Sequence, residues 1–162
     1  MKHRDAIFRF AVGFAVAPAL LASCTLPPER DAGLAVTTIR IDTAGGPKAF
    51  RVEIADDVAS QQHGLMNRRA LAPDAGMLFD FHREARVAFW MKNTPLPLDM
   101  VFIRGDGTVS SVEPNAVPYS TASIPSSEPV RAVLEINGGR AHDLGIRPGD
   151  RVRADIFHDL GD

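Results

Sequence analysis

Phe89-Trp90-Met91-Lys92-Asn93-Thr94-Pro95-Leu96-Pro97-Leu98-Asp99 joins two apolar runs through a polar corner, and it holds the chain's only Trp. Residues 87–91 (VAFWM) read as a strand of bulky and β-branched side chains. Pro95 and Pro97 cannot continue regular pairing, so the chain must bend there. Residues 98–104 then read as the next strand. A strand, a shaped corner and another strand within some twenty positions favour short strands and tight connections over long helices.

The flanks repeat that pattern. Residues 34–41 (LAVTTIRI) and 49–54 (AFRVEI) alternate apolar and polar, as half-buried strands do, with a hairpin turn expected at Gly45-Gly46-Pro47. Asp56-Asp57 offers an N-cap to a short helix ending near His63, with Gly64 at the left-handed closing position. Residues 76–81 (GMLFDF) place Phe at alternate positions and read as a strand. Gly105-Asp106-Gly107 is a hairpin turn leading into residues 108–113. Residues 115–129 form a long Ser- and Pro-rich surface loop, of a length that tends to carry function. Residues 130–136 (VRAVLEI) and 152–157 (VRADIF) are the last strands, separated by a short helix over 140–144 and a turn at Arg147-Pro148-Gly149-Asp150. The sum is an all-β chain of about eight or nine strands with one or two short helices, a closed or nearly closed barrel or sandwich. Its 162 residues suit one domain, and 12 Pro and 13 Gly supply its turns.

Several blocks stand in a fixed order: Gly64-Leu65-Met66-x-Arg68, Gly76-Met77-Leu78-Phe79-x-Phe81, Phe89-Trp90-Met91-Lys92-Asn93-Thr94-x-x-Pro97-Leu98-Asp99, and Val133-Leu134-Glu135-x-x-x-Gly139. In these blocks the chain resembles the DUF192 family of small prokaryotic proteins, over residues 34–157. The resemblance implies a compact, jelly-roll-like β-barrel with a helix packed on it, and it implies no reaction. The domain is accordingly expected over residues 34–158.

The first residues read as an address. Lys2, Arg4 and Arg9 precede an uncharged run of 12 residues, 10–21. That is too short to cross a bilayer, which takes roughly 20 residues, and it has the shape of a secretory signal peptide over 1–23. Leu21-Ala22-Ser23-Cys24 resembles a bacterial lipobox, and Cys24 is the chain's only Cys. It is the expected lipid-attachment site, followed by a flexible tether over 24–33. Thr25, rather than an Asp, follows it, which points to the periplasmic side of the outer membrane. The expected location is the cell envelope, and the expected partners are the membrane through that anchor and a small molecule or an envelope protein. A lone Cys makes neither an internal disulfide nor a Cys-based zinc site. A formal charge of −2 argues against nucleic acid.

The candidate ligand-binding residues are Lys92, Asn93, Thr94, Asp99, Arg68, Glu135 and Trp90. Lys92 beside Trp90 could hold an anion or work as an acid or base if desolvated. Asn93 could orient a polar group, and Asp99 could accept from it or pair with Lys92. In a structural reading, Asn93 and Thr94 tie their own backbone in a bend. Glu135 shares a strand face with Val133, so it is expected to point inward and to pair with Arg68 or Lys92. No catalytic set, cofactor or metal is assigned. The first functional expectation is a non-catalytic binding module for a small polar or anionic ligand or a protein partner. The alternatives are a hydrolase-like enzyme using Glu135, Lys92 and Asp99, and a periplasmic Cu(I) carrier using Met66, Met77, Met91 and Met100 with His63 and His82. Met fills irregular cores well, which weighs against the carrier. If the anchor is read correctly, Cys24→Ser will move the protein from the membrane pellet to the soluble fraction on cell fractionation; continued sedimentation with membranes would refute it.

Overall fold

The computed structural model describes residues 33–157. The expected signal peptide, Cys24 and all of the tether but Gly33 lie outside the described residues. Nine strands, two short α-helices and one 3₁₀ turn make up the described chain. They are β1 (Val36–Thr43), β2 (Gly46–Ala55), α1 (Val58–His63), β3 (Ala75–Ala85), β4 (Ala88–Phe89), β5 (Leu98–Ile103), β6 (Val109–Ala116), β7 (Ile124–Pro125), β8 (Val130–Asn137), α2 (Arg140–Leu144) and β9 (Arg151–Arg153), with the 3₁₀ turn at Asp155–Phe157. The all-β expectation holds.

Seven strands form one sheet in the order β6-β5-β8-β3-β2-β1-β9, and β4 pairs with β7 separately. The large sheet curls until its two edges touch. Val152 N donates to the Gly107 carbonyl at 2.8 Å, Val109 N to Asp150 at 2.8 Å, and Gly149 N to Val109 at 2.9 Å. These bonds satisfy edge groups that would otherwise face water or a second chain. The period of two along each strand then sorts side chains onto two faces. Ile39, Ile41, Phe50, Val52, Leu78, Val101, Ile103, Leu134 and Ile136 fill the inside of the curl. Met77, Phe79, Leu98, Met100, Phe102 and Val133 face the other way and build a second core with Leu65 and Met91. The central strands are therefore buried on both faces, and every residue of β5 is buried.

The β1–β2 hairpin forms as expected, with Thr43 opposite Gly46. The pairing of β2 with β3 is parallel, and α1 lies in that crossover. Parallel neighbours need such a connection, because a tight turn can only return the chain antiparallel. A capping box starts α1: Asp57 Oδ1 accepts from Ser60 N at 2.8 Å and Ser60 Oγ accepts from Asp57 N at 3.2 Å. Gln61 then donates from Nε2 to the Asp80 carbonyl at 2.7 Å, tying the helix to β3.

Three local expectations are corrected. Gly64 ends α1 at φ 51°, ψ −136°, which is not the left-handed helical conformation; it swings the chain across Phe79, whose ring a Cβ there would meet at 3.2 Å. The strand expected over 87–91 pairs only at Ala88–Phe89, because the Met91 amide is taken by Ser120 as the corner begins. The strand expected over 152–157 stops at Arg153 and winds into the 3₁₀ turn, with Phe157 N donating to Ala154.

Gly76 marks the tightest approach in the sheet. A Cβ at that position would stand 2.6 Å from the Glu135 carbonyl oxygen. Gly76→Ala is expected to lower stability by about 1–3 kcal/mol, the range for overpacking, in a urea melt. An unchanged midpoint would show that β3 and β8 have room to part.

Candidate functional site

The two-stranded β4–β7 sheet, through Phe89 and Ile124, and the chain after α1, through Leu65, pack on the second core without closing over it completely. Between them lies a cavity of about 510 Å³. One wall is the end of α1 and the chain after it, from Gln61 to Met66; the other is Val87–Trp90 with Lys92 and Thr94. Phe79 and Glu135 form the floor. A volume of this size is in the range that holds small molecules.

Register explains the floor. Glu135 lies on β8 directly opposite Met77 on β3 and Met100 on β5. Its side chain therefore stands in an apolar row, and the next row is Phe79, Val133 and Phe102. Phe89 caps these rings edge-on, 5.0 Å from Phe79 and 6.3 Å from Phe102 between centroids. Such edge-to-face contacts suit the ring quadrupoles and hold the wall in place. Glu135 is 5% exposed and has no hydrogen-bond or ion-pair partner among the described residues. Its carboxyl opens into the cavity, since no fully sealed side-chain oxygen or nitrogen among the described residues lacks a partner. Burial pushes that carboxyl up to about 8, so at neutral pH it is mostly the uncharged acid.

The other buried acids are committed elsewhere. Asp99 is on the opposite face of β5, and its carboxylate accepts from three amides: Asn115 N at 2.8 Å, Gly139 N at 2.9 Å and Ala141 N at 2.7 Å. Burial works against a charge on Asp80 too, but the bond from Arg131 at 2.7 Å and the His82 amide outweigh it and lower its pKa.

The predicted residues thus separate. Glu135, Lys92, Thr94 and Trp90 meet around the cavity; Asp99 and Arg68 do not. Arg68 pairs with Glu53 through both carboxylate oxygens, not with Glu135. Lys92 pairs with neither Asp99 nor Glu135. Its ammonium lies over the Trp90 ring, 5.2 Å from the centroid. Glu135 does not point into the barrel: it faces the second core on the outside of the sheet.

The corner itself is a backbone junction. Thr94 N donates to Met91 at 3.1 Å, with Asn93 at φ 55°, a turn position that Asn tolerates. The Asn93 carbonyl accepts from Asn67 N at 2.8 Å, which ties the two cavity walls together. Thr94 Oγ1 donates to the Lys92 carbonyl at 3.2 Å, and the Thr94 carbonyl accepts from Tyr119 N at 3.1 Å. Of the described methionines, Met77, Met91 and Met100 are core, and Met66 joins His63 in lining the cavity. Reading residues one strand at a time missed Phe79, Phe81, Phe89, His63 and Met66 as cavity residues. The alternate Phe residues of β3 were the one signal that a further apolar face had to be covered.

A curled β-sheet with a covered outer face and an acid-floored cavity between the layers is the class these features define. The chain belongs to the DUF192 family, described as "Uncharacterized ACR", which matches it over residues 39–154. Among solved structures it is similar to a protein of Sinorhizobium meliloti 1021, provisionally labelled a transcription regulator: 49% identity, TM-score 0.74, covering 76% of this chain and 96% of that one. It is also similar to a Novosphingobium aromaticivorans DSM 12444 protein of unknown function: 39% identity, TM-score 0.74, covering 88% of this chain and 100% of that one. No curated protein matches.

The raised acid has a signed consequence for stability. A carboxyl that ordinarily ionises near 4.5 holds its proton to about 8 in the fold. Its contribution is fully present below pH 4.5 and is lost as pH rises through 8, when the folded state must bury a charge. Glu135→Gln, which cannot ionise, should therefore flatten the pH profile and gain on wild type above pH 8. The gain should be on the order of 5 kcal/mol, at about 1.4 kcal/mol per pK unit. Denaturant melts at pH 5, 7 and 9 measure it; parallel profiles for the two proteins would mean that Glu135 is solvated or paired.

Proposed function

We propose that this chain is a non-catalytic binding module of the cell envelope, anchored by lipid at Cys24, whose ligand is a small polar molecule held in the cavity above Glu135. The observation that carries this is the unpartnered buried acid at the floor of that cavity. A buried polar group without a partner costs free energy, and a ligand that supplies the partner recovers it. The aromatic walls match an apolar body, and Lys92 at the mouth suits an anionic or aromatic end.

The hydrolase-like alternative needed Glu135, Lys92 and Asp99 to converge, and Asp99 faces away with its oxygens engaged by amides. The Cu(I) alternative needed several exposed thioethers, and three of its four methionines are packed in the core. The regulator label of the Sinorhizobium relative is not taken over, because DNA phosphates call for a basic face and this sequence carries −2. The envelope location and the anchor rest on residues 1–24.

A thermal-shift screen with a metabolite library tests the reading. Compounds that raise the melting temperature of wild type by several degrees should lose most of that shift in Glu135→Gln and part of it in Lys92→Ala, and keep it in Lys48→Ala on the distant β1–β2 hairpin. Hits indifferent to the first two substitutions, or no hits, would sink the proposal.

A further inference from the structure

The chemistry of the cavity narrows its ligand. We infer that the cavity recognises an organic ammonium group, set against the Glu135 carboxylate and enclosed by aromatic rings, on a molecule with an apolar body. The inference rests on the binding role proposed above and goes further by fixing the sign of the ligand's buried end.

Two independent features agree on that sign. The floor offers an acid with no donor among the described residues, flanked by Met77 and Met100 on the sheet. Phe79 beside it on the floor and Phe81, Phe89 and Trp90 around it add aromatic lining, and the negative ring faces of aromatics attract cations, most strongly where water is excluded. One of these rings already holds an ammonium: Lys92 Nζ lies over Trp90 at 5.2 Å. A carboxylate ligand would meet neither feature favourably at the floor. A neutral carbonyl could accept a proton bond from Glu135 but would gain nothing from the rings.

The inference has a proton-linked signature. Glu135 holds its proton up to about 8 when the cavity is empty. An ammonium placed beside it favours the carboxylate, so the O–H bond breaks, the proton leaves to solvent and the ion pair forms. The other titratable groups that line the cavity are His63 and Lys92, both exposed at its mouth. The sheet neighbours on the Glu135 face, Met77, Met100, Phe79 and Phe102, carry no charge.

Trp90, the single Trp, lines the cavity and reports on it by fluorescence. We would titrate the whole protein with 2-phenylethylammonium, with the similarly shaped 2-phenylethanol, and with phenylacetate, at pH 6 to 9. The ammonium is expected to bind saturably, about tenfold more tightly per pH unit from 6 to 7.5 and levelling above 8. The alcohol should show no such slope. Calorimetry in phosphate and in Tris should show close to one proton released per ammonium bound at pH 7 and almost none at pH 9. Glu135→Gln should weaken the ammonium at least tenfold at pH 8.5 and leave the alcohol unchanged; if that variant does not fold, the wild-type pH slope and proton count decide alone. Absence of ammonium binding at pH 8.5, or binding without slope or proton release, overturns the inference. Binding by the alcohol or phenylacetate alone also overturns it, while leaving the cavity as a binding site.

Discussion

A single carboxylate holds one end of the curled sheet together. Asp99 projects from β5, which lies between β6 and β8, and accepts from the amides of Asn115 on β6, Gly139 in the turn after β8, and Ala141 in α2. Amides left bare in a buried place are costly. The bonds fix where β6 ends and where α2 begins, and so seat Ala141 and Ile146 in the inner core. With that end held, the edges β6 and β9 meet by backbone bonds near Gly107 and Asp150, and the curl is complete.

Glu135 is the counterpart in the opposite sense. Both acids are buried, on neighbouring strands, and their environments differ by strand face. Asp99 looks into the end of the barrel, where amides converge. Glu135 looks outward, into a second apolar layer that supplies no donor. The Lys-Asn-Thr corner, prominent in the sequence, works mainly by bracing that layer. Its backbone binds the chain after α1 through Asn67 and the loop after β6 through Tyr119 and Ser120. Lys92 and Trp90 are left at the cavity mouth, where Trp90 is 49% exposed.

Much of the fold was legible locally. Alternation in AFRVEI and LAVTTIRI announces β1 and β2, and the Asp-Gly step announces the turn before β6. Asp57, three residues before Ser60, announces the start of α1. The two strands that shrank, after Phe89 and after Arg153, have sequences as strand-like as the rest; what they lack is a partner. The site was legible in part. Lys92, Trp90, Thr94 and Glu135 stood out as residues that needed explaining, whereas the pairing of Arg68 with Glu53 joins β2 to the chain after α1, a contact no local pattern encodes.

Each strand's own residues settle which side chains share a face, and the order of the motif blocks settles the family to which the chain belongs. A period of two states that Val133 and Glu135 look the same way, and the ordered motif blocks identify the relatives. The tertiary structure alone decided which face looks inward, that β2 and β3 run parallel, and that a second layer covers Met77, Glu135 and Met100 while leaving a cavity above them. The physical reason is that alternation is a property of one strand, whereas burial depends on what long-range pairing lays over it.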